Sequence, residues 1–358
     1  MINRERLVQT FCELVRIDSP SGEEEAMALD LEKRLRNLGL KTTRDDYGNL
    51  LANNGGLDPI ILSAHMDTVE PGRGIKPEIN GNRIVSDGTT ILGGDCKAGV
   101  AAILEALQSI REDDIPHLPL EVIFTREEET GLVGARHLDF SKIQAKEAIV
   151  FDGEGPPSQI TSASPTYIGF DIEVTGRAAH AGVEPEKGLS AIRIASEIIT
   201  RLPQGRLDDQ TTFNIGTIAG GSVRNAVAEN TIIKGEFRSR NVETLDDIRL
   251  QISQALNEVR ELFPEAKLDD HLHVEFETYT LTDDDPATTR VKKALNSLGL
   301  SPVMSPSGGG TDGNVFRLNN ISAVVIGMAD HNMHTVREYV TIPDLVDSAH
   351  LCETIMRK

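Results

Sequence analysis

The sequence is poor in cysteine, in long apolar runs and in basic residues. Its three cysteines, Cys12, Cys96 and Cys352, are widely spaced and odd in number, so they predict no disulfide framework and fit a reducing cytoplasm. No apolar run approaches the length that spans a bilayer, and the N-terminal segment lacks the apolar region of a signal peptide. We therefore expect a cytoplasmic protein without a membrane anchor.

Basic residues are outnumbered, because 36 Lys and Arg stand against 56 Asp and Glu, for a net charge of -20. Such a surface repels phosphates, so we expect neither nucleic acid nor an anionic membrane as a partner. Cations and small neutral or positively charged molecules remain candidates. A hydrophobic content of 39% is typical of a globular protein, and 358 residues favour two domains.

The order of predicted elements divides the chain into a discontinuous α/β domain and an insert. Residues 164–279 predict strand, helix, strand, strand, helix, strand, which is the order of a ferredoxin-like α+β unit. The last of these strands is predicted over 273–280. Residues 1–163 and 280–358 alternate helices and apolar strands and would form the α/β domain. Near its start, Ser21 and Glu24 predict a capping box for the second helix.

Polar side chains follow several apolar strands of the α/β domain. Because the carboxyl ends of parallel strands meet at one edge of a sheet, we expect these side chains to lie together. Each also has a plainer interpretation: a strand-end histidine beside a solvated aspartate, a helix cap, or a solvated acidic turn. The candidates after strands or at helix starts are His65, Asp67, Asp95, Glu128, Glu129, Asp152 and His334.

This set of side chains suits a pair of divalent metal ions. Two imidazoles and several carboxylates can share two ions with one carboxylate bridging, and mixed nitrogen and oxygen ligands suit zinc, cobalt or manganese. A glutamate that binds no metal can serve as a general base. Two such ions activate water and stabilise the oxyanion that forms when an amide is hydrolysed.

Seven motifs, in order along essentially the whole chain, are HMDTV, GGDCKAG, EEETG, FDG, GRAAHAG, GGGTDGN and MHTVREYV. In order and spacing they resemble the dinuclear zinc aminoacyl peptidase family, which includes peptidase T, carboxypeptidase G and acetylornithine deacetylase. The peptidase T-like branch is the most similar. The resemblance implies an aminopeptidase-type hydrolase of small peptides such as di- or tripeptides. The alternatives are a deacylase of N-acyl amino acids and a non-catalytic peptide-binding protein.

The resemblance also implies roles for the candidate residues. Two ions are expected, zinc first, with cobalt or manganese as alternatives. The bond between Asp95 and Cys96 should be cis. The implied roles are metal ligation by His65 and Asp152 at one ion and by Glu129 and His334 at the other, bridging by Asp95, base catalysis by Glu128, and support of His65 by Asp67.

The insert resembles the lid and dimerisation domain of the family, which implies a homodimer. His180 would reach the active site of the other subunit, although a surface histidine in a turn is its plainer interpretation. Asn225 and Arg238 would contact substrate, and Gly309 and Gly310 would line the pocket. Arg238 can also be interpreted as an edge-strand charge beside Arg240.

Two positions depart from the family pattern. Peptidase T has an arginine just before the glycine loop, where this chain has Ser307 and Gly308, so a preference for tripeptides does not follow. Cys96 replaces a residue that is commonly acidic or large and apolar. Its thiol would either influence the neighbouring metal site or be a buried, inert cysteine.

Overall fold

A computed structural model describes all 358 residues. In chain order its helices are α1 Arg4–Val15, α2 Glu25–Asn37, α3 Gly94–Glu112, α4 Val133–Arg136, α5 Ala191–Ile199, α6 Val242–Leu262, α7 Pro286–Ser297, α8 Asp312–Leu318 and α9 Ile342–Met356. The first nine strands are β1 Lys41–Arg44, β2 Leu50–Asn53, β3 Ile60–His65, β4 Glu78–Asn80, β5 Arg83–Val85, β6 Leu120–Thr125, β7 Glu147–Gly153, β8 Gln159–Ser164 and β9 Thr166–Thr175. The others are β10 Gly205–Asp208, β11 Thr211–Gly220, β12 Asn230–Ser239, β13 Lys267–Phe276, β14 Tyr279–Thr280, β15 Val303–Pro306, β16 Ser322–Gly327, β17 Asp330–His331 and β18 Tyr339–Thr341. None of the helices is both long and apolar enough to cross a membrane.

The first compact unit comprises 1–163, 280–307 and 311–358. Its large sheet has the order β1-β2-β6-β3-β7-β16-β8-β14, with β15 beside β8. The strands β6, β3, β7 and β16 are mutually parallel where they pair, so their carboxyl ends share one edge. A second sheet has the order β17-β18-β5-β4. The predicted α/β class is confirmed, and this common edge is where ligands gather in such sheets.

Helix α3 packs closely on the sheet because a glycine lies at the contact. A Cβ atom at Gly99 would lie 2.3 Å from the carbonyl oxygen of Phe151, so no other residue fits at this distance. Phe151 precedes Asp152 in β7, and Gly99 lies one turn after Asp95 in α3. The glycine therefore brings the start of α3 against the end of β7.

The second helix begins differently from the prediction. Helix α2 starts at Glu25 without a side-chain cap, and the N-cap residue is Glu24. The hydroxyl of Ser21 donates a hydrogen bond of 2.7 Å to Oδ2 of Asp67 instead. The predicted capping box is therefore wrong, because the buried carboxylate of Asp67 takes the hydroxyl that would have capped the helix.

The second compact unit comprises 164–279 and 308–310. Its antiparallel sheet has the order β10-β11-β12-β9-β13, and α5 and α6 share a core with it that includes Phe170, Phe213 and Phe237. The predicted order of strands and helices is confirmed, with β10 as an additional strand. The last strand, however, covers Lys267–Phe276 rather than 273–280. Its first half carries exposed polar side chains such as Asp269 and Asp270, which hide the apolar alternation.

The glycine loop groups with the second unit, although it lies in a segment predicted for the α/β domain. The hydroxyl of Ser164 donates a 2.9 Å hydrogen bond to the carbonyl oxygen of Gly309. A Cβ atom at Gly310 would lie 2.4 Å from the ring of Phe276. These close contacts, rather than position in the sequence, place the loop with the second unit.

Candidate metal centre

The candidate ligands of the first unit meet at the common edge of its parallel strands. His65 ends β3, Asp152 lies near the end of β7, and Asp95 lies at the start of α3. Ligand atoms of these three residues and of Cys96 all lie within 4.8 Å of one another. In a second group, the ligand atoms of Asp95, Glu129 and His334 also lie within 4.8 Å of one another.

Asp95 belongs to both groups. Its Oδ1 lies 2.9 Å from Nε2 of His65, and its Oδ2 lies 3.1 Å from Nε2 of His334. Asp95 is not a helix cap, because Gly93 occupies the N-cap position and Asp95 has the non-helical angles φ -78° and ψ 106°. The peptide bond from Asp95 to Cys96 is cis, as predicted. A carboxylate with one oxygen towards each histidine has the arrangement that bridges two cations.

Asp67 is fully buried and organises both strand ends beside it. Nδ1 of His65 lies 3.0 Å from the main-chain oxygen of Asp67 and 3.3 Å from its Oδ1. The carboxylate also accepts hydrogen bonds from the main-chain N–H groups of Glu128, at 3.0 Å, and Glu129, at 3.2 Å. With Nδ1 donating to Asp67, the lone pair of Nε2 faces the ligand group. A solvated aspartate is thus the wrong interpretation for this residue.

The site concentrates buried negative charge. Burial, with the charge of Asp95, raises the pKa of Glu129 to about 7, and burial raises the pKa of Asp152 to about 6. The hydrogen bond to Asp95 and the close carboxylate of Glu129 raise the pKa of His334 to about 10. Burial opposes ionisation of Asp95, yet its hydrogen bonds with His334 and His65 hold its pKa well below the usual range. Carboxylates crowded out of water in this way need positive charge beside them.

The donor set fits divalent cations. Oε1 of Glu129 is buried and lies 3.1 Å from Nε2 of His334, but it accepts no well-aligned hydrogen bond. A buried carboxylate oxygen without such a partner is costly unless a cation binds it. Imidazole and carboxylate donors together are the ligands that zinc, cobalt and manganese accept.

Glu128 lies beside these groups but belongs to neither. Its side chain is buried, and its main-chain N–H donates a hydrogen bond to the carboxylate of Asp67. Burial, together with the charge of Asp152, raises the pKa of Glu128 well above its usual range. A carboxyl with a raised pKa next to a ligand group is a candidate for accepting and returning a proton.

Cys96 is fully buried, and its Sγ donates a 2.7 Å hydrogen bond to the carbonyl oxygen of Phe151. Burial, with the charge of Asp152, raises the pKa of this thiol well above its usual range. These contacts favour the interpretation of an inert cysteine over that of a reactive one.

The remaining predicted site residues lie in the second unit. Arg238 stacks on the ring of Tyr167, with 4.3 Å to the ring centroid, and its Nε donates to Glu236 at 2.9 Å. Its Nη1 donates to the carbonyl oxygen of Gly308 at 3.3 Å, so Arg238 meets the loop of Gly309 and Gly310. It is not an edge-strand charge, because β12 lies between β11 and β9.

His180 and Asn225 lie in neighbouring turns of the second unit. The N–H of Ala181 donates to the carbonyl oxygen of Asn225 at 3.0 Å, and Nδ1 of His180 accepts from the N–H of Gly182 at 3.2 Å. The structure thus brings His180 and Asn225 together as one pair, and Arg238 and the glycine loop as another.

Three residues of the site were missed by the sequence predictions. Ser21 was assigned to a helix cap. Asp312 is buried and accepts a hydrogen bond from the hydroxyl of Thr125, the last residue of β6. Glu338 is buried and accepts hydrogen bonds from the main chain of the turn that carries Asp95. The available signal was the presence of Asp312 and Glu338 in the GGGTDGN and MHTVREYV motifs.

Comparisons with known proteins identify the family of the chain. Residues 61–358 match the family described as peptidase family M20/M25/M40. The uncharacterized protein YqjE of Bacillus subtilis is 36% identical over 369 residues, covering 100% of this chain and 99% of the relative. The crystal structure of aminopeptidase PepT from Bacillus cereus is 38% identical with a TM-score of 0.86, covering 99% of this chain and 98% of that one. A tripeptidase structure from Staphylococcus aureus is 33% identical with a TM-score of 0.91 and the same coverage of 99% and 98%. The chain belongs to peptidase family M20/M25/M40.

Proposed function

We propose that this protein hydrolyses an amide bond in small peptides with the help of two divalent cations. The family supports peptide hydrolysis. A single observation carries the metal proposal. The two groups of candidate ligands share Asp95, whose Oδ1 faces His65 and whose Oδ2 faces His334. Zinc is the first choice of metal, with cobalt and manganese as alternatives.

In this proposal the two groups hold the two ions. His65 and Asp152 would hold one, Glu129 and His334 would hold the other, and Asp95 would contribute to both. When bound, such a pair supplies a Lewis acid for the scissile carbonyl and lowers the pKa of the attacking water. Through its contacts with Nδ1, Asp67 would orient Nε2 of His65 for binding an ion.

Glu128 is the proposed general base. Its carboxylate takes a proton from the attacking water as the new carbon–oxygen bond forms. It then gives that proton to the amide nitrogen as the carbon–nitrogen bond breaks, which yields a carboxylic acid product and an amine. The buried position beside the ligand groups and the raised pKa of Glu128 support this role.

The second unit would be the lid and dimerisation domain of a homodimer. We propose that His180 reaches the active site of the other subunit and that Asn225, Arg238, Gly309 and Gly310 contact the peptide. The guanidinium of Arg238 is held by Tyr167 and Glu236, and such a held guanidinium suits a peptide carboxylate. The three cysteines are free and buried, which fits a cytoplasmic location.

The test is a substrate panel with defined metals. The purified protein is stripped with a chelator, reloaded with zinc, cobalt or manganese, and assayed with dipeptides, tripeptides and N-acyl amino acids. We expect hydrolysis of di- or tripeptides only after reloading. Undiminished turnover after complete metal removal would contradict the metal proposal. Turnover of N-acyl amino acids alone would identify a deacylase, and peptide binding without turnover would identify a binding protein.

A further inference from the structure

Glu338 holds the turn that carries Asp95. Its side chain is buried, and its Oε2 accepts hydrogen bonds from the main-chain N–H groups of Leu92, at 2.6 Å, and Gly93, at 2.8 Å. Its Oε1 accepts from the N–H of Asp95 at 3.2 Å. One carboxylate thus binds three N–H groups that precede or begin α3, where no helical carbonyl is available to them.

The short segment 334–338, which ends at Glu338, contacts Asp95 a second time. His334 and Glu338 are four residues apart, and the N–H of Glu338 donates to the carbonyl oxygen of Thr335 at 3.0 Å, which closes the segment into a turn. His334 lies 3.1 Å from the side chain of Asp95, while Glu338 binds its main chain. The segment therefore sets both the position of Asp95 and the position of a ligand beside it.

The turn is also packed from its other side. A Cβ atom at Gly94 would lie 2.4 Å from Oδ1 of Asp330 and 2.8 Å from a methyl group of Val340. With Asp330 on one side and Glu338 binding the N–H groups, the main chain has little room to move. Without the carboxylate of Glu338, buried N–H groups would lose their acceptor, which is unfavourable enough to displace the turn.

We infer that Glu338 is a positioning residue of the metal centre. It holds the main chain of Asp95 so that the two carboxylate oxygens face His65 and His334, the geometry that bridging requires. This inference rests on the proposed metal site. It concerns the binding of the ion pair and is independent of which amide is hydrolysed. A helix cap with no influence on the ions is the alternative.

Glu338→Gln tests the inference with little change of size. The amide offers one acceptor oxygen in place of two, so at least one of the three N–H groups loses its partner. We expect the dissociation constant of at least one zinc ion to rise about 10- to 100-fold, as is usual when a group that orients a metal ligand is lost. Competition with a chromophoric chelator measures the affinity, and visible absorption of the cobalt-loaded protein reports ligand geometry.

Asp285→Asn is the matched control. Asp285 is also a buried carboxylate; it accepts hydrogen bonds from the N–H of Thr288, at 3.1 Å, and the hydroxyl of Ser322, at 2.7 Å. Ser322 begins β16, at the end of the strand away from the ligand groups. We expect this variant to lose stability but to keep wild-type zinc affinity and the wild-type cobalt spectrum.

Two results would overturn the inference. One is a Glu338→Gln protein with wild-type zinc affinity and cobalt spectrum; the other is an equal loss of zinc affinity in Asp285→Asn. If Glu338→Gln does not fold, Glu338→Asp is measured instead. Its carboxylate is one methylene shorter, so we expect a smaller loss of affinity, and wild-type affinity would again refute the inference. Wild-type protein that binds zinc but hydrolyses no peptide would contradict only the proposed function.

Discussion

The two candidate ligand groups of the proposed metal centre lie on different kinds of backbone. His65 ends a strand that is paired on both sides, and its side chain is 1% exposed. His334 lies in a loop at a positive φ of 62°, and its side chain is 51% exposed. Hydrogen bonds of the sheet hold the first histidine, whereas the second depends on contacts of its own loop. We therefore expect the His65 group to bind its ion more tightly than the His334 group does.

Glu128 belongs to neither half, so its replacement should have the largest effect on catalysis and the smallest on metal content. We expect Glu128→Gln to lower kcat about 10²- to 10⁴-fold, the range over which a general base contributes. Steady-state kinetics on the best peptide, with metal analysis of the same sample, measure both. A variant that keeps wild-type kcat would remove Glu128 from the mechanism.

Replacing each histidine separately tests the comparison itself. We expect His65→Ala to raise the dissociation constant of the tighter ion by more than about 100-fold, because a lost ligand should exceed the effect of a lost orienting group. His334→Ala should leave one ion bound at wild-type affinity. Metal analysis after dialysis against a weak chelator gives the stoichiometries. Competition with a chromophoric chelator gives the affinity of the ion that each variant retains. If the retained ion binds equally tightly in both variants, the two halves are equivalent and the comparison is wrong.

Ser21→Ala is expected to have the smallest of these effects. It removes the hydroxyl 2.7 Å from Asp67, the carboxylate that binds the N–H groups of Glu128 and Glu129. We expect kcat to fall by about 10-fold with KM little changed, which is the lower end for an outer-sphere group. Ser21→Thr keeps the hydroxyl and should restore most of the activity. Equal loss in both variants would instead indicate a packing effect.

The strand-end residues were predictable because their signal is local. The apolar run of β3 stops at His65, the run of β7 stops at Asp152, and Glu129 follows β6 after a short turn. An apolar run of this length predicts a buried strand, and parallel strands present their carboxyl ends at one edge. The order of elements in the second unit was predictable for the same reason, since helix and strand periodicities differ.

The predictions failed where distant contacts or exposed polar residues decided the outcome. Ser21 precedes a helix and has the right residue type for a cap, yet it binds Asp67. The start of β13 was missed because its exposed polar residues obscure the alternation on which a strand prediction depends. The glycine loop was placed by position in the sequence, although its contacts are with Ser164 and Phe276.

By itself the sequence determined the fold class, the strand ends and the candidate ligand residues, since these depend on apolar periodicity and on the chemistry of single residues. Only the tertiary structure decided which groups support them. Ser21 and Asp67 are 46 positions apart, and Glu338 and Asp95 are 243 apart. Hydrogen bonds over such separations leave no periodic trace in the chain, because they depend on the sheet and α3 bringing the partners together.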